Sequence, residues 1–212
     1  MSSQRLPDKA LMLINEKPML WHVLTRVATA GLLNDVVLAT TTKECDKQLL
    51  SLAEDLGIKT FAGSENDVLD RFYQASTLYD ANIIVRITGD CPLIDPKIID
   101  CAINYFLISD SLDYLTNRPS YPDGYDVEVF SYKALSAAWA MATDPYDREH
   151  VTPFIQRHSE LFNIEEMRYD IDLSHIKVSV DTEADLARVR EIFSLIGSDI
   201  FYLEDVLSVS NL

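Results

Sequence analysis

Ile83-Ile-Val-Arg-Ile-Thr-Gly-Asp-Cys-Pro-Leu-Ile-Asp-Pro-Lys-Ile-Ile-Asp-Cys-Ala-Ile-Asn-Tyr-Phe106 is the stretch that decides the fold class. Ile83–Ile87 is apolar on both faces apart from Arg86, the pattern of a strand covered from both sides in a parallel sheet. Thr88-Gly89-Asp90 ends the run. Asp95 is placed to cap a helix and Pro96 to open it, since a first turn does not need the N–H that proline lacks. Ile98, Ile99, Ala102, Ile103 and Phe106 then recur at helical spacing.

The same alternation continues to both sides. Upstream, Pro18 to Ala30 reads as a helix with Leu20, Val23, Leu24 and Val27 on one face and Gly31 just past its end. Val36–Thr40 is a β-branched run. Leu49, Leu50, Leu52, Ala53 and Leu56 form a second stripe closed by Gly57, Ile58–Ala62 is a further strand, and Asp67 caps a helix through Tyr79. After about residue 110 the pattern changes. Val127, Val129 and Phe130 lie in a strand-like stretch, helices follow near 132–142 and 147–158, and Phe162–Tyr169 mixes charged and apolar residues, as a β-rich excursion would. Ile176–Val180 returns to a buried-strand pattern. Thr182 with Asp185 approximates a capping box for a helix through Ile196, stopped by Gly197. The expectation is an α/β protein with a doubly wound, mostly parallel sheet.

Composition narrows the function classes. The 212 residues carry 18 Lys and Arg against 34 Asp and Glu, a formal charge of −16. Nucleic acid and anionic membranes both need a basic face, so neither is an expected partner. No apolar run approaches a membrane span, and Met1–Pro7 lacks the core of a signal peptide. Cys45, Cys91 and Cys101 are odd in number and form no Cys-x-x-Cys pair, which fits a reducing cytoplasm and gives no zinc signature.

Two constellations carry chemistry by residue type. Ser2 and Ser3 leave backbone N–H groups free to approach an anion, and Arg5 and Lys9 add a planar fork and a point charge to the same short loop. A solvated basic terminus is the competing reading. Asp90 and Asp181 each follow an expected strand, and in an open parallel sheet ligands collect at the carboxyl ends of strands. Two aspartates meeting there could hold one Mg²⁺, which takes hard oxygen ligands and keeps water or phosphate in its shell. Read alone, each serves equally well as a helix N-cap.

The order of the motifs is more specific than any one of them. Ser3-x-Arg-Leu-Pro-x-Lys-x-Leu11 followed by Lys17-Pro-Met-Leu20 resembles the signature loop of nucleotidyltransferases that activate sugars. Glu65–Phe72, Val85–Asp95, Tyr121–Phe130, Arg148–Pro153 and Val180–Leu186 extend the likeness over nearly the whole chain. It is most similar to the cytidylyltransferase family that contains CMP-sialic acid and CMP-ketodeoxyoctonate synthetases, nearest to the branch of spore coat polysaccharide biosynthesis protein F.

That resemblance implies a Rossmann-like nucleotide-diphospho-sugar transferase fold over residues 1–212 as a single domain, with an acceptor-binding and dimerisation excursion at 117–170. It implies CTP as donor, a sugar or sugar acid as acceptor, Mg²⁺ on Asp90 and Asp181, and a cytoplasmic homodimer serving surface polysaccharide synthesis. Arg5 and Lys9 would neutralise the phosphates. Ser2, Ser3, Asp67, Val68, Arg71, Thr88 and Gly89 would hold the nucleotide. On the acceptor side stand Asn117, Tyr125, Asp126, Glu128, Arg148 and Glu149, whose aromatic and carboxylate groups suit a hydroxyl-rich ligand; a structural network is the alternative for Arg148-Glu149-His150. Arg118, Arg148 and Arg157 are open choices for a carboxylate on the acceptor. Arg86 reads equally as a buried ion pair or a ligand contact.

Two departures stand out. Relatives carry an apolar strand before the Ser-Ser loop, whereas this sequence begins inside the loop. The expectation is an N-terminally shortened version with a slot between neighbouring strands and unpaired backbone groups along it. Glu16 also stands where relatives often have glycine. A glycosyltransferase of the same fold would want an Asp-x-Asp motif where Gly89-Asp90-Cys91-Pro92 stands, and a non-catalytic nucleotide- or sugar-binding remnant is the other alternative.

Overall fold

The structure, a computed structural model, describes Leu6 and residues 8–209. A single 3-10 turn at Lys9–Leu11 leads into the antiparallel hairpin of β1 (Leu13–Ile14) and β2 (Lys17–Pro18). Its two-residue turn holds Asn15 at φ 45° and Glu16 at φ 65°, the left-handed pair that a tight hairpin demands. Asn tolerates this region, but glutamate is strained there, which is the physical meaning of the glycine departure. Glu16→Gly is expected to raise stability by about 1 kcal/mol, read as a higher denaturation midpoint at constant slope.

α1 (Met19–Ala28) follows. β3 (Val37–Thr41), α2 (Lys47–Asp55) and β4 (Lys59–Gly63) form a crossover unit with β3 parallel to β4. Asp46, ahead of α2, ties that helix to β3 by accepting bonds from Thr40 Oγ1 (2.7 Å), Thr41 N (3.1 Å) and Thr41 Oγ1 (2.5 Å). The chain then runs through α3 (Val68–Leu78), β5 (Ile83–Arg86), α4 (Pro96–Ile108), β6 (Tyr114–Thr116), β7 (Glu128–Ser131), α5 (Tyr132–Met141), α6 (Pro145–His150), α7 (Pro153–Arg157), β8 (Ile164–Glu166), α8 (Glu183–Ile196) and α9 (Leu203–Val209). The four-stranded sheet has the order β5-β7-β6-β8. It is mixed: β7 runs antiparallel to both β5 and β6, and only β8 runs parallel to β6. The reversal arises because residues 117–127 form a wide loop that brings the chain back beside β6 instead of crossing over through a helix.

The α/β class is therefore as expected, and three local expectations change. Ile176–Val180 forms no ladder; a single bridge joins Lys177 to Asp123. Backbone bonds from Val178 N and Ser179 N to Asp123 O (2.7 and 3.1 Å) and from Val180 N to Asp90 O (2.9 Å) hold the segment instead. The helix expected over 147–158 is broken at Val151 (φ 74°), and Pro153 opens α7 afresh, where the N–H that proline lacks is not needed. Finally, the strand expected at 162–169 shortens to the three residues of β8.

Among the described residues β3 pairs with β4 alone and β5 with β7 alone. Each therefore has one edge outside any described ladder. Ile83, the first residue of β5, is 37% exposed.

One apolar cluster gathers the inner faces of α1, α4, α8 and α9, and a second gathers Leu69, Ile84, Phe130, Leu135 and Phe154. Arg26 pins the first. Fully buried, it donates to the carbonyls of Ile94 (2.7 Å), Asp199 (2.9 Å), Leu93 (3.3 Å) and Phe201 (2.5 Å). A planar fork can satisfy four carbonyls at once where a lysine could not. No helix among the described residues is long and apolar enough to cross a membrane.

Candidate active site

Asp90 lies just beyond β5 and Asp181 just before α8. The Val180 N–H bond to Asp90 O brings the two segments side by side. Their carboxylates meet at one cation. Lys9 Nζ donates to Asp90 Oδ2 (3.1 Å), Asp181 Oδ1 (3.4 Å) and Val180 O (2.8 Å). Lys177 Nζ takes Asp181 Oδ2 (3.1 Å) together with Asp185 Oδ2 (3.0 Å). Asp185 and Thr182 complete the capping box of α8, which fixes the backbone that carries Asp181. Burial pushes the Asp90 carboxyl up, but the Lys9 ammonium and the Thr88 hydroxyl outweigh it and hold it below its ordinary range. Asp181 behaves alike, with Lys177 and Lys9 overcoming burial. Both are thus carboxylates at neutral pH.

This donor set fits a hard divalent cation, because two carboxylate oxygens already converge on a cationic point. Among the described residues no set of three acidic, His or Cys side chains forms a complete cage. Water and phosphate oxygens would supply the remaining ligands, as Mg²⁺ usually arranges.

The pair opens into a cleft of about 380 Å³. On the opposite wall Glu128 pairs with Arg86 and accepts from Tyr114 Oη (2.5 Å) and Thr152 Oγ1 (2.7 Å). Arg118 grips Asp126 through both arms, Nε to Oδ1 at 2.7 Å and Nη2 to Oδ2 at 2.9 Å. Asp123 also faces the cleft, and burial with the neighbouring Asp126 charge raises its carboxyl pKa. The loop carrying Asp123 and Asp126 is pressed onto residues 178–179 at Gly124 (φ 109°), where an added Cβ would lie 2.6 Å from Ser179 N and 2.8 Å from Val178 C. Tyr146 and His150 meet on the cleft wall with ring centroids 4.4 Å apart and planes tilted by 52°.

Lys9, Thr88, Asp90, Asp126, Glu128 and Asp181 are thus brought together as anticipated, with Gly89 beside them. Ser2, Ser3 and Arg5 lie outside the described residues. Seven other anticipated residues do not line this cleft. Asp67 caps α3 by accepting from Asp70 N and is held by Arg148 through Nε (3.0 Å) and Nη2 (2.5 Å), while Arg148 Nη1 donates to Trp139 O (2.7 Å). Val68 is packed in the second apolar cluster. Arg71 is buried with Nη1 on Ser64 O (2.8 Å). Asn117 spends its amide on Tyr125 O (2.7 Å) and Val127 N (2.8 Å), while Tyr125 is fully buried in the first cluster. Glu149 points to solvent on α6.

The region around Asp67 is a structural seam. Trp139 stacks on Tyr73 (4.2 Å, 11°) and donates to Asp70 Oδ1 (2.8 Å), joining α5 to α3. Conversely, Asp123, Thr152 and Gln156 line the cleft without having been singled out. For Asp123 the signal was present in Pro122-Asp123-Gly124, a turn whose glycine marks a close backbone approach.

A family model described as cytidylyltransferase matches residues 1–196. An uncharacterized protein of Methanocaldococcus jannaschii is 38% identical over 97% of this chain and 86% of its own length. The spore coat polysaccharide biosynthesis protein SpsF of Bacillus subtilis is 29% identical over 93% of this chain and 84% of its own. A solved cytidylyltransferase from Leptospira borgpetersenii superposes with a TM-score of 0.94 at 32% identity, covering 99% of this chain and 89% of that one.

Proposed function

Because the chain belongs to the cytidylyltransferase family and is a nucleotidyltransferase, we propose that it transfers the cytidylyl group of CTP to a hydroxyl of a sugar acid. The acceptor hydroxyl gives up its proton to water as its oxygen forms a bond to the α-phosphorus, the bond from that phosphorus to the bridging oxygen breaks, and pyrophosphate leaves with that bond's electron pair. The observation that carries the reading is the convergence of Asp90 and Asp181 on one cation at the mouth of the cleft. Asp90 and Asp181 would hold Mg²⁺, which when bound supplies charge neutralisation and polarisation at the α-phosphate. Arg5 and Lys9 meet the charge of the outer phosphates. Little covalent work falls to the protein, so positioning and charge carry the rate.

The acceptor would lie against the wall of Asp126 and Glu128, whose carboxylates accept from sugar hydroxyls. The sugar-acid class follows the resemblance to CMP-sialic acid and CMP-ketodeoxyoctonate synthetases. A carboxylate on that ligand needs a cation, and the cleft supports one choice among the three arginines left open. Neither Arg148, paired with Asp67, nor Arg157, paired with Asp147, lines the cleft. Arg118 faces the cleft with a side chain 67% exposed. Arg118→Ala is expected to raise KM for the acceptor by about tenfold, with kcat changed far less, the signature of a lost uniform binding contact. The reading includes a homodimer joined through residues 117–170 and a place in surface-polysaccharide synthesis.

The deciding experiment is pyrophosphate release measured for all four nucleoside triphosphates against a panel of sugar acids and neutral sugars. Release is expected only with CTP, Mg²⁺ and a sugar acid. Equal use of the four nucleotides, or UDP released from a sugar nucleotide instead, overturns the assignment.

A further inference from the structure

We propose that Lys9 is an exchangeable occupant of the metal point: without metal its ammonium fills the position between Asp90 and Asp181, and it gives up that position when a triphosphate offers it other oxygens. The inference rests on the reading of Asp90 and Asp181 as a metal pair and concerns how that pair is kept before the metal arrives.

Three observations carry it. All three protons of the Lys9 ammonium are engaged, by Asp90 Oδ2, Asp181 Oδ1 and Val180 O. The contact is therefore a filled coordination position rather than a passing surface pair, and the side chain is only 14% exposed. The backbone beneath it is anchored, with Leu11 N on Asp8 O (2.9 Å) and Met12 N on Lys9 O (3.1 Å). A four-carbon stem on a fixed turn lets the head group move while the backbone stays. Finally, Lys177 shares Asp181 but also holds Asp185, so it keeps a partner whatever happens at the other oxygen.

Electrostatics supplies the exchange. A divalent cation at about 2.0–2.1 Å from both carboxylates cannot share their nearest oxygens with an ammonium, and two positive groups in a partly buried site repel strongly. Releasing Lys9 into the cleft alone forfeits three charge-assisted or carbonyl bonds. A triphosphate replaces them. Metal and nucleotide should therefore bind with positive coupling, each strengthening the other by the same factor. The free protein should hold the metal weakly.

The test uses nucleotide-free full-length protein, with Mn²⁺ binding followed by electron paramagnetic resonance and thermal unfolding recorded with and without Mn²⁺. Lys9→Met is expected to bind Mn²⁺ at least about tenfold more tightly than the parent protein. It should melt lower than the parent in EDTA and recover in millimolar Mn²⁺, because the metal replaces the lost charge between the carboxylates. Lys9→Arg should behave like the parent, and adding Asp90→Asn to Lys9→Met should abolish the gain. Unchanged or weaker Mn²⁺ binding by Lys9→Met overturns the proposal. If Lys9→Met does not fold in EDTA, refolding with Mn²⁺ decides: recovery supports the exchange, and equal failure in both buffers overturns it. An inactive parent protein with this metal behaviour intact would sink the transfer reaction and leave the exchange standing. Absence of Mn²⁺ binding from both parent and variant would sink the metal pair itself.

Discussion

Asp90→Asn lowers pyrophosphate release from CTP by about a thousandfold or more, and Asp181→Asn does the same. Each substitution keeps the shape of the side chain and removes one of the two charges that converge on the cation. Donors and charges aimed at a reacting phosphate are each worth two to three orders of magnitude, roughly 3–4 kcal/mol of barrier. On the proposed reading each is also a shared metal ligand, so its loss would remove more than one such contact. The fold should survive, because Lys9 keeps Val180 O and the other carboxylate, and the Val180 N–H bond to Asp90 O is backbone to backbone. The check is kcat from a coupled pyrophosphate assay, with circular dichroism melts of both variants beside the parent. Turnover within about tenfold of the parent in both variants would remove the metal assignment.

Gly124→Ala costs about 2–4 kcal/mol of stability, from a left-handed backbone combined with a methyl group forced into a packed contact. At φ 109° an L side chain is strained in any surroundings, and here the new Cβ meets Ser179 N and Val178 C, which are backbone and cannot rotate away. Gly57 and Gly197 provide the control. Both have φ 70°, but nothing lies within 4 Å of an added Cβ, so alanine there should cost only about 1 kcal/mol. Denaturant unfolding of the three variants separates the two contributions. Gly124→Ala should also lose activity while still folded, since the loop that presents Asp123 and Asp126 would lift from the segment that delivers Asp181. A cost equal to that at Gly57 would show that the loop is not clamped.

Local grammar was legible where one segment determined its own structure. The Asp95-Pro96 start of α4 and the Thr182–Asp185 capping box are both found as read. The meeting of Asp90 with Asp181 was also legible, because each stands just past an apolar run, Ile83–Ile87 and Ile176–Val180, although the second run is held by a single bridge and loop hydrogen bonds rather than a ladder. What the sequence concealed was long-range pairing. Tyr125 and Asn117 have the chemistry of a sugar site, yet burial within the 117–127 loop commits them to the core and to backbone bonds. Asp67 and Arg148 are 81 residues apart, and only the approach of α3 to α6 makes them partners. The direction of β7 depends on the course of that same loop, which hydrophobic periodicity does not record.

The stacked seam of Tyr73 and Trp139 has a practical corollary. An indole held between an aromatic face and a carboxylate changes its emission when either neighbour withdraws. The only other tryptophan, Trp21, sits under the Lys17 ammonium at 3.7 Å on α1. A Trp21→Phe chain would therefore carry a single intrinsic fluorophore at the α3–α5 junction, giving a label-free optical readout of any ligand that pulls Arg148 away from Asp67.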